Sequence, residues 1–436
     1  MIGGIQNIGR ITELRQRILF TFALLGVYRI GAFIVTPGID PEVVRQFFQQ
    51  MQGTLLGLFS MFSGGALKQL SIFSLGIMPY ISASIILQLL TVVIPHLEEL
   101  KKEGEQGQKK INQYTRYGTI ALSMFQSFLI AMALEHGQFG EGAVTEPGWG
   151  FRLMCMLTLT TGTGFIMWLG EQITERGIGN GISMIIFASI IVRLPSALGQ
   201  LFQLVRTDQF SILQTVFLAA FAVVVIGFVV VVERGQRRIP IQHARRVVGK
   251  RVMQGGMSYF PLRVNTAGVI PPIFASSLLM FPLTIGQFTD SPMVQTFIDR
   301  YLNPGSIVYQ LIYVGLIIFF CYFYTAIMIN PVEVAENIKK SGAYIPGIRP
   351  GKKTAEHIDR VLTRITLVGA IYISVVCVLP TLLAARVGVP FYFGGTALLI
   401  VVGVGLDTIA QIEAHLVSRQ YEGFASGTRI RGRLAR

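Results

Sequence analysis

From Ile212 to Val232 the chain reads ILQTVFLAAFAVVVIGFVVVV, with no charged residue and only Gln214 and Thr215 breaking the apolar run. A helix of about 20 such residues matches the hydrocarbon thickness of a bilayer. Inside lipid a backbone must satisfy its own hydrogen bonds, which confines it to helices or closed barrels. Comparable runs recur at 18–35, 72–94, 117–134, 151–170, 181–200, 265–285, 307–329, 361–383 and 395–416, so ten spans are expected. The run at 181–200 is the weakest, because Arg193 and Pro195 interrupt it. With 52% hydrophobic and 14% charged residues among 436, the composition lies outside the range of soluble globular chains. The expected fold class is all-α, a polytopic membrane protein. The first run is long enough to remain as a span and no small-residue cleavage site follows it, so no cleavable signal peptide is expected.

The net charge is +14, and its distribution says more than its size. Most of the 37 Lys and Arg residues fall in the two chain ends and in the loops after the even-numbered spans. Basic loops stay on the cytosolic face, so both ends are expected there. Five spans then lie in 1–205 and five in 206–436. GIMPYISAS at 76–84 is echoed by GVIPPIFAS at 268–276, sharing glycine, proline, isoleucine, alanine and serine. The spacing is far longer than any solenoid period. With this topology the two segments run in opposite directions, the pattern of an inverted repeat whose site lies between the halves near mid-membrane. Recurrence of favoured residues in an apolar, Gly-rich chain is the plainer alternative.

Several segments do not simply span. GTLLGLFSMFSGGALKQL at 53–70 is apolar but too short to cross, so it is either a re-entrant, cavity-lining piece or a helix lying on the outer surface. The loops 233–264 and 331–360 are too long to be mere connectors. In the first, Arg237, Arg238, Arg245, Arg246, Lys250 and Arg251 are interleaved with Ile, Val and Pro. Such a set serves topology and anionic-lipid contact, or docks a large polyanion or acidic protein. GIRPGKKT at 347–354 is no nucleotide loop: Pro346 precedes it where a glycine is needed, and Lys353 stands at the Ser/Thr position. GIGNG at 177–181 is a turn without a preceding strand. Cys155, Cys321 and Cys377 lie in apolar runs and read as packing residues. The five histidines are scattered without ligand spacing, so neither a metal nor a cofactor is expected. Charges within spans are few, Arg29, Asp407 and Glu413 among them, which argues against an ion-coupled pump.

Long motifs carry a resemblance: MFSGGAL at 61–67, GIMPYISASIILQLLT at 76–91, KINQYTRYGT at 110–119 and WLGEQITERGIGNGIS at 168–183. They continue with VERGQRRIP at 232–240, VNTAGVIP at 264–271, SGAYIPGIRPG at 341–351 and PFYFGGTALLIVV at 390–402. In these the chain resembles the SecY family, the central subunits of the bacterial protein-conducting channel, over nearly its whole length. The match is weakest in the first dozen residues, at 135–150 and 286–306, and after 420. The chain departs from the family pattern where Pro272 follows Pro271.

The resemblance implies ten helices in two inverted halves around an hourglass pore. The pore ring would be Ile77, Ile81, Ile182, Ile186, Ile273 and Ile400. The plug, over about 55–67, would include Leu55, Leu58, Phe59, Met61, Phe62, Gly64 and Gly65. A lateral gate would carry Gln88 and Asn265, and Arg349 would join the basic cluster in docking. Implied partners are the SecE and SecG subunits, the SecA ATPase, the ribosome with its RNA, and unfolded preproteins with their signal sequences. The implied location is the bacterial inner membrane. An apolar collar closes around varied side chains while keeping ions out by their desolvation cost. A sideways exit sorts segments by partitioning: about −0.3 to −0.6 kcal/mol for each Leu or Phe against about +2.5 to +3.5 for a central charge. A secondary transporter, which also uses inverted repeats, is the alternative. A membrane-embedded enzyme lacks a catalytic constellation in the spans.

Overall fold

The computed structural model describes residues 12–50, 63–137, 139–140, 142–207, 211–243, 246–248, 251–253, 256–287, 301, 306–387 and 394–427. Its contacts divide the chain into two compact units, Met1–Pro195 with Val404–Arg436, and Ser196–Gly403. Each expected span overlaps a helix, although 32–34, 72–77 and 265–269 are turns and bends. Among the described residues, seven helices are long and apolar enough to cross a bilayer, or eight if one bent pair counts as a single span. Thr12–Gly31 is not among them because it carries Glu13, Arg15, Arg17 and Arg29.

The first unit holds α1 (Thr12–Gly31), α2 (Pro41–Gln50), a 3-10 turn (Ala66–Gln69), α3 (Met78–Val93), α4 (Pro95–Lys102), α5 (Glu105–Glu135), α6 (Trp149–Arg176) and α7 (Gly181–Ile191). α3 and α4 meet at 98°. Pro95 disfavours helical backbone at the residue before it, and Ile94 is extended. The bend folds Leu97 and Leu100 onto Ile111 of α5. On α5, Thr115 and Thr119 return their hydroxyls to the carbonyls four residues back, at 3.0 and 2.7 Å. Such a stripe stays satisfied inside an apolar helix and lets a neighbour approach closely. Its last member, Ser127, reaches Thr160 of α6 at 3.2 Å.

The GIGNG turn positions α7 on α6. Asn180 caps α7 by accepting the Ser183 amide, and a Cβ on Gly181 would stand 1.8 Å from the Gly170 carbonyl. No other residue fits there. α7 ends where Arg193 and Pro195 were expected to interrupt the span, and α8 (Leu194–Arg206) begins at once.

The second unit includes α9 (Ile212–Arg234), β1 (Gln236–His243), β2 (Arg246–Val248), β3 (Arg251–Met253), β4 (Met257–Arg263), α10 (Ile270–Gln287), α11 (Ile307–Met328), α12 (Pro331–Lys340), β5 (Ala343–Tyr344) and α13 (Lys352–Val387). The final helix, α14 (Gly395–Gly427), belongs to this unit through Gly403. The strands are an addition that the apolar pattern did not reveal. β1 pairs antiparallel with β4 from Gln236↔Arg263 to Gln242↔Met257, and with β5 at Gln242↔Tyr344 and His243↔Ala343. At Pro240 β1 is paired on one side only, which is where a sheet tolerates a missing donor. The sheet thus joins the loops 233–264 and 331–360. Ile239, Leu262, Ile345, Ile358 and Leu362 form their common core, with Val334 and Ile338 of α12 packed against it. The doubled proline lies within the first turn of α10, where a missing backbone N–H leaves no hydrogen bond unmade.

Candidate functional site

The echoed segments have one local geometry. Gly76 and Gly268 adopt φ of +56° and +64°, each two residues before a helix begins, and proline occupies the first turn of both helices. A left-handed residue reverses the chain before the helix and favours glycine. One turn into each helix stands an isoleucine, Ile81 on α3 and Ile273 on α10, 7% and 8% exposed.

In the first unit Ile77 caps α3, and its carbonyl accepts from the Ile81 amide, placing the two one turn apart. Ile182 and Ile186 are one turn apart on α7. Ile186 is buried, while Ile182 is half-buried with its Cγ1 2.9 Å from where a Cβ on Gly170 would lie. In the second unit Val269, four residues before Ile273, lies against Gly403, three residues after Ile400. Ile400 is 1% exposed.

Leu55, Leu58, Phe59, Met61 and Phe62 lie outside the described residues. Ser63, Ala66, Leu67 and Leu70 are buried in the first unit rather than spread on a surface. Gly64 and Gly65 are left-handed, with φ of +64° and +90°. Gly64 fits against Ser189 of α7. Its carbonyl accepts from Arg29 Nη1 at 3.0 Å, and that guanidinium lies 4.5 Å from the Phe33 ring centroid. The Tyr28 hydroxyl pairs with Ser189 Oγ at 2.7 Å and reaches the Ser63 carbonyl at 3.3 Å. The Phe73 ring stacks between Tyr28 and Phe165. Lys68, half-buried on the 3-10 turn, has its ammonium pushed below the ordinary lysine value by burial first, then by Arg193 and Arg45. Tyr28, Arg29 and Ser189 were not singled out as holding this segment. A lone arginine in an apolar run was the available signal for Arg29.

Gln88 is half-buried on α3. Asn265 is buried, and its amide donates to Glu233 at 2.7 Å and to the Gly268 carbonyl at 3.1 Å. Arg237 and Arg238 are exposed on β1, and Arg349 is exposed on the neighbouring loop, its carbonyl accepting from Thr354. Exposed Met257 and Tyr259 stand on β4 beside them. Arg246 and Arg251 belong to the paired strands β2 and β3, whereas Arg245 and Lys250 lie outside the described residues. Among the described residues no cluster of His, Cys, Asp or Glu has the makings of a metal site.

Two units built on apolar helices with matching glycine–proline helix starts, the second carrying a basic sheet, define the class of membrane-embedded polypeptide channels. The fold is similar to that of a solved protein-conducting channel, with a TM-score of 0.64 over 93% of each chain at 18% identity. Sec61 in the canine ribosome–channel complex from the endoplasmic reticulum gives 0.63 over 93% of each chain at 16% identity. The SecY family model matches residues 71–409. The protein translocase subunit SecY of Escherichia coli (strain K12) is 52% identical over 427 residues, covering 97% of this chain and 96% of that protein. This chain belongs to the SecY family.

Proposed function

We propose that the chain forms the polypeptide path of a bacterial protein translocase, passing unfolded chains across the membrane and releasing apolar segments sideways into it. The observation that carries this reading is the shared geometry of the two echoed segments, each a left-handed glycine followed by a proline-started helix with a buried isoleucine one turn in. Two such helix starts, inserted in opposite directions, furnish a collar from both halves, 1–205 and 206–436. Ile77, Ile81, Ile182, Ile186, Ile273 and Ile400 form that collar. Its seal is hydrophobic: a constriction of branched apolar side chains dewets and excludes ions while deforming around a passing peptide.

The segment through Gly64 and Gly65 plugs the outer funnel, and α3 and α10 line the lateral exit with Gln88 and Asn265. The charge asymmetry supports a cytoplasmic-membrane location with both ends in the cytosol. The sheet of β1, β4 and β5 then faces the cytosol and presents Arg237 and Arg238, with Arg349 on the adjoining loop, and Arg245, Arg246, Lys250 and Arg251 fall in the β1–β4 connection, Arg246 and Arg251 on β2 and β3. This surface suits the ribosome and the SecA ATPase, and the solved Sec61 relative is a ribosome–channel complex. SecE, SecG and anionic lipids complete the assembly. The chain acts as a conduit rather than an enzyme, and its partners supply the energy.

Replacing Ile81 and Ile273 together with Ser tests the collar. Reconstituted channels are expected to leak small ions in a conductance measurement. Conductance equal to that of the unsubstituted protein would remove both isoleucines from the seal.

A further inference from the structure

Asn265 stands where β4 hands the chain over to α10. Its side chain is 4% exposed, and Nδ2 donates to Glu233 Oε1 at 2.7 Å and to the Gly268 carbonyl at 3.1 Å. Both partners are acceptors, so the amide nitrogen, not the oxygen, faces them. Glu233 lies in the last turn of α9, three residues before β1 begins at Gln236. The Val264 amide donates to the Gly235 carbonyl at 2.9 Å, carrying the β1–β4 ladder one step past Gln236↔Arg263. The hairpin therefore closes at its base twice, once through backbone and once through Asn265. Gly369 of α13 packs tightly behind this base, since a Cβ there would be 2.8 Å from the Val264 carbonyl.

Beyond the base comes a joint. Gly268 has φ +64°, with open space where a Cβ would sit, and glycine turns freely between conformations. The bond from Asn265 to the Gly268 carbonyl spans that joint and, through Glu233, ties it to α9.

We propose that Asn265 is a positioning residue for translocation: it locks the Gly268 swivel, so that movement of the β1–β4 hairpin under a docked partner displaces the first turn of α10 instead of dissipating in the joint. This rests on reading the hairpin as the docking surface and α10 as a wall of the lateral exit. Removing the amide frees the joint while leaving Arg237 and Arg238 on the hairpin surface. Docking and transport then separate.

The test uses the full complex in proteoliposomes, with the motor ATPase and a preprotein, and reads two quantities: motor affinity and preprotein protected per ATP hydrolysed. Asn265→Ala is expected to keep affinity within about twofold while the transport yield falls about tenfold, the size of an ordinary coupling between sites. Asn265→Asp, which sets a second carboxylate against Glu233, lowers the yield likewise. Adding Glu233→Gln to it relieves the like-charge clash but leaves the Gly268 carbonyl without its donor, so the yield stays low. Should Asn265→Ala fail to accumulate, Glu233→Gln alone keeps size and an acceptor, and its yield falls by about twofold as the bond loses its charge assistance. An unchanged yield, a parallel fall of affinity and yield, or full recovery in the double variant overturns the proposal. Arg237→Glu with Arg238→Glu tests the docking reading separately: unchanged motor affinity there sinks that reading, whatever Asn265 does.

Discussion

Single atoms decide several of these contacts. A Cβ on Gly162 of α6 would fall 1.9 Å from the Ile72 carbonyl, whereas Gly164, half a turn on, has open space. Gly162→Ala is therefore expected to destabilise the purified complex by about 1–3 kcal/mol, as overpacking does. Gly164→Ala should be neutral or stabilise by up to about 1 kcal/mol through lost chain entropy. Thermal midpoints in detergent compare them, and equal shifts would show that the close approach at Ile72 is not tight. Lys68 yields a prediction with a pH sign. Its folded ammonium titrates below the ordinary lysine value, so the charged form is disfavoured in the folded state. The resulting penalty is full at neutral pH and is relieved as pH rises through the depressed value toward the ordinary one. Lys68→Gln should thus increase hydrogen-exchange protection across residues 63–75 at neutral pH, with the advantage shrinking in alkaline buffer. Reduced protection would mean that the lysine stabilises the turn.

Elements explain why some of this was legible and some was not. Apolar runs marked the helices well, and Arg193 with Pro195 marked the break between α7 and α8, whereas Pro95 forecast nothing by itself. Gly76 and Gly268 stood out because a left-handed turn before a helix favours glycine, and that demand survives in sequence. The sheet stayed hidden because β1 mixes arginines with Pro240, which masks strand alternation, and because β5 arrives from a loop about a hundred residues away. Asn265 read as a seam residue because Glu233, its partner, lies 32 residues earlier in the chain. The core under the sheet gives a test at this scale. Ile358 on α13 is fully buried against Ile239, Leu262 and Ile345. Ile358→Ala should cost about 2–5 kcal/mol locally and loosen the β1–β5 pairing, seen as faster amide exchange at Gln242 and Tyr344. Exchange unchanged at both would show that the two loops hold together without this core.

Across the whole molecule, two units carry matching helix starts, the first with a buried turn gripped by Tyr28, Arg29 and Ser189 and the second with a basic sheet whose β1–β4 hairpin lies between α9 and α10. Each feature has a physical reason in a conduit for polypeptides. In the proposed conduit the turn would fill space without spanning, the isoleucines would exclude ions without recognising a sequence, and the sheet would offer a surface for a partner that does the work. Secondary transporters also use inverted repeats, but they draw on ion gradients through acids placed at mid-membrane. Membership of the SecY family favours the conduit. The most direct measurement is protease protection of a radiolabelled preprotein in vesicles reconstituted with this chain and its small subunits. On adding the motor ATPase and ATP, without any ion gradient, the preprotein should become protected. Failure of protection under those conditions, with uptake of a small solute driven by an ion gradient alone, would contradict the account.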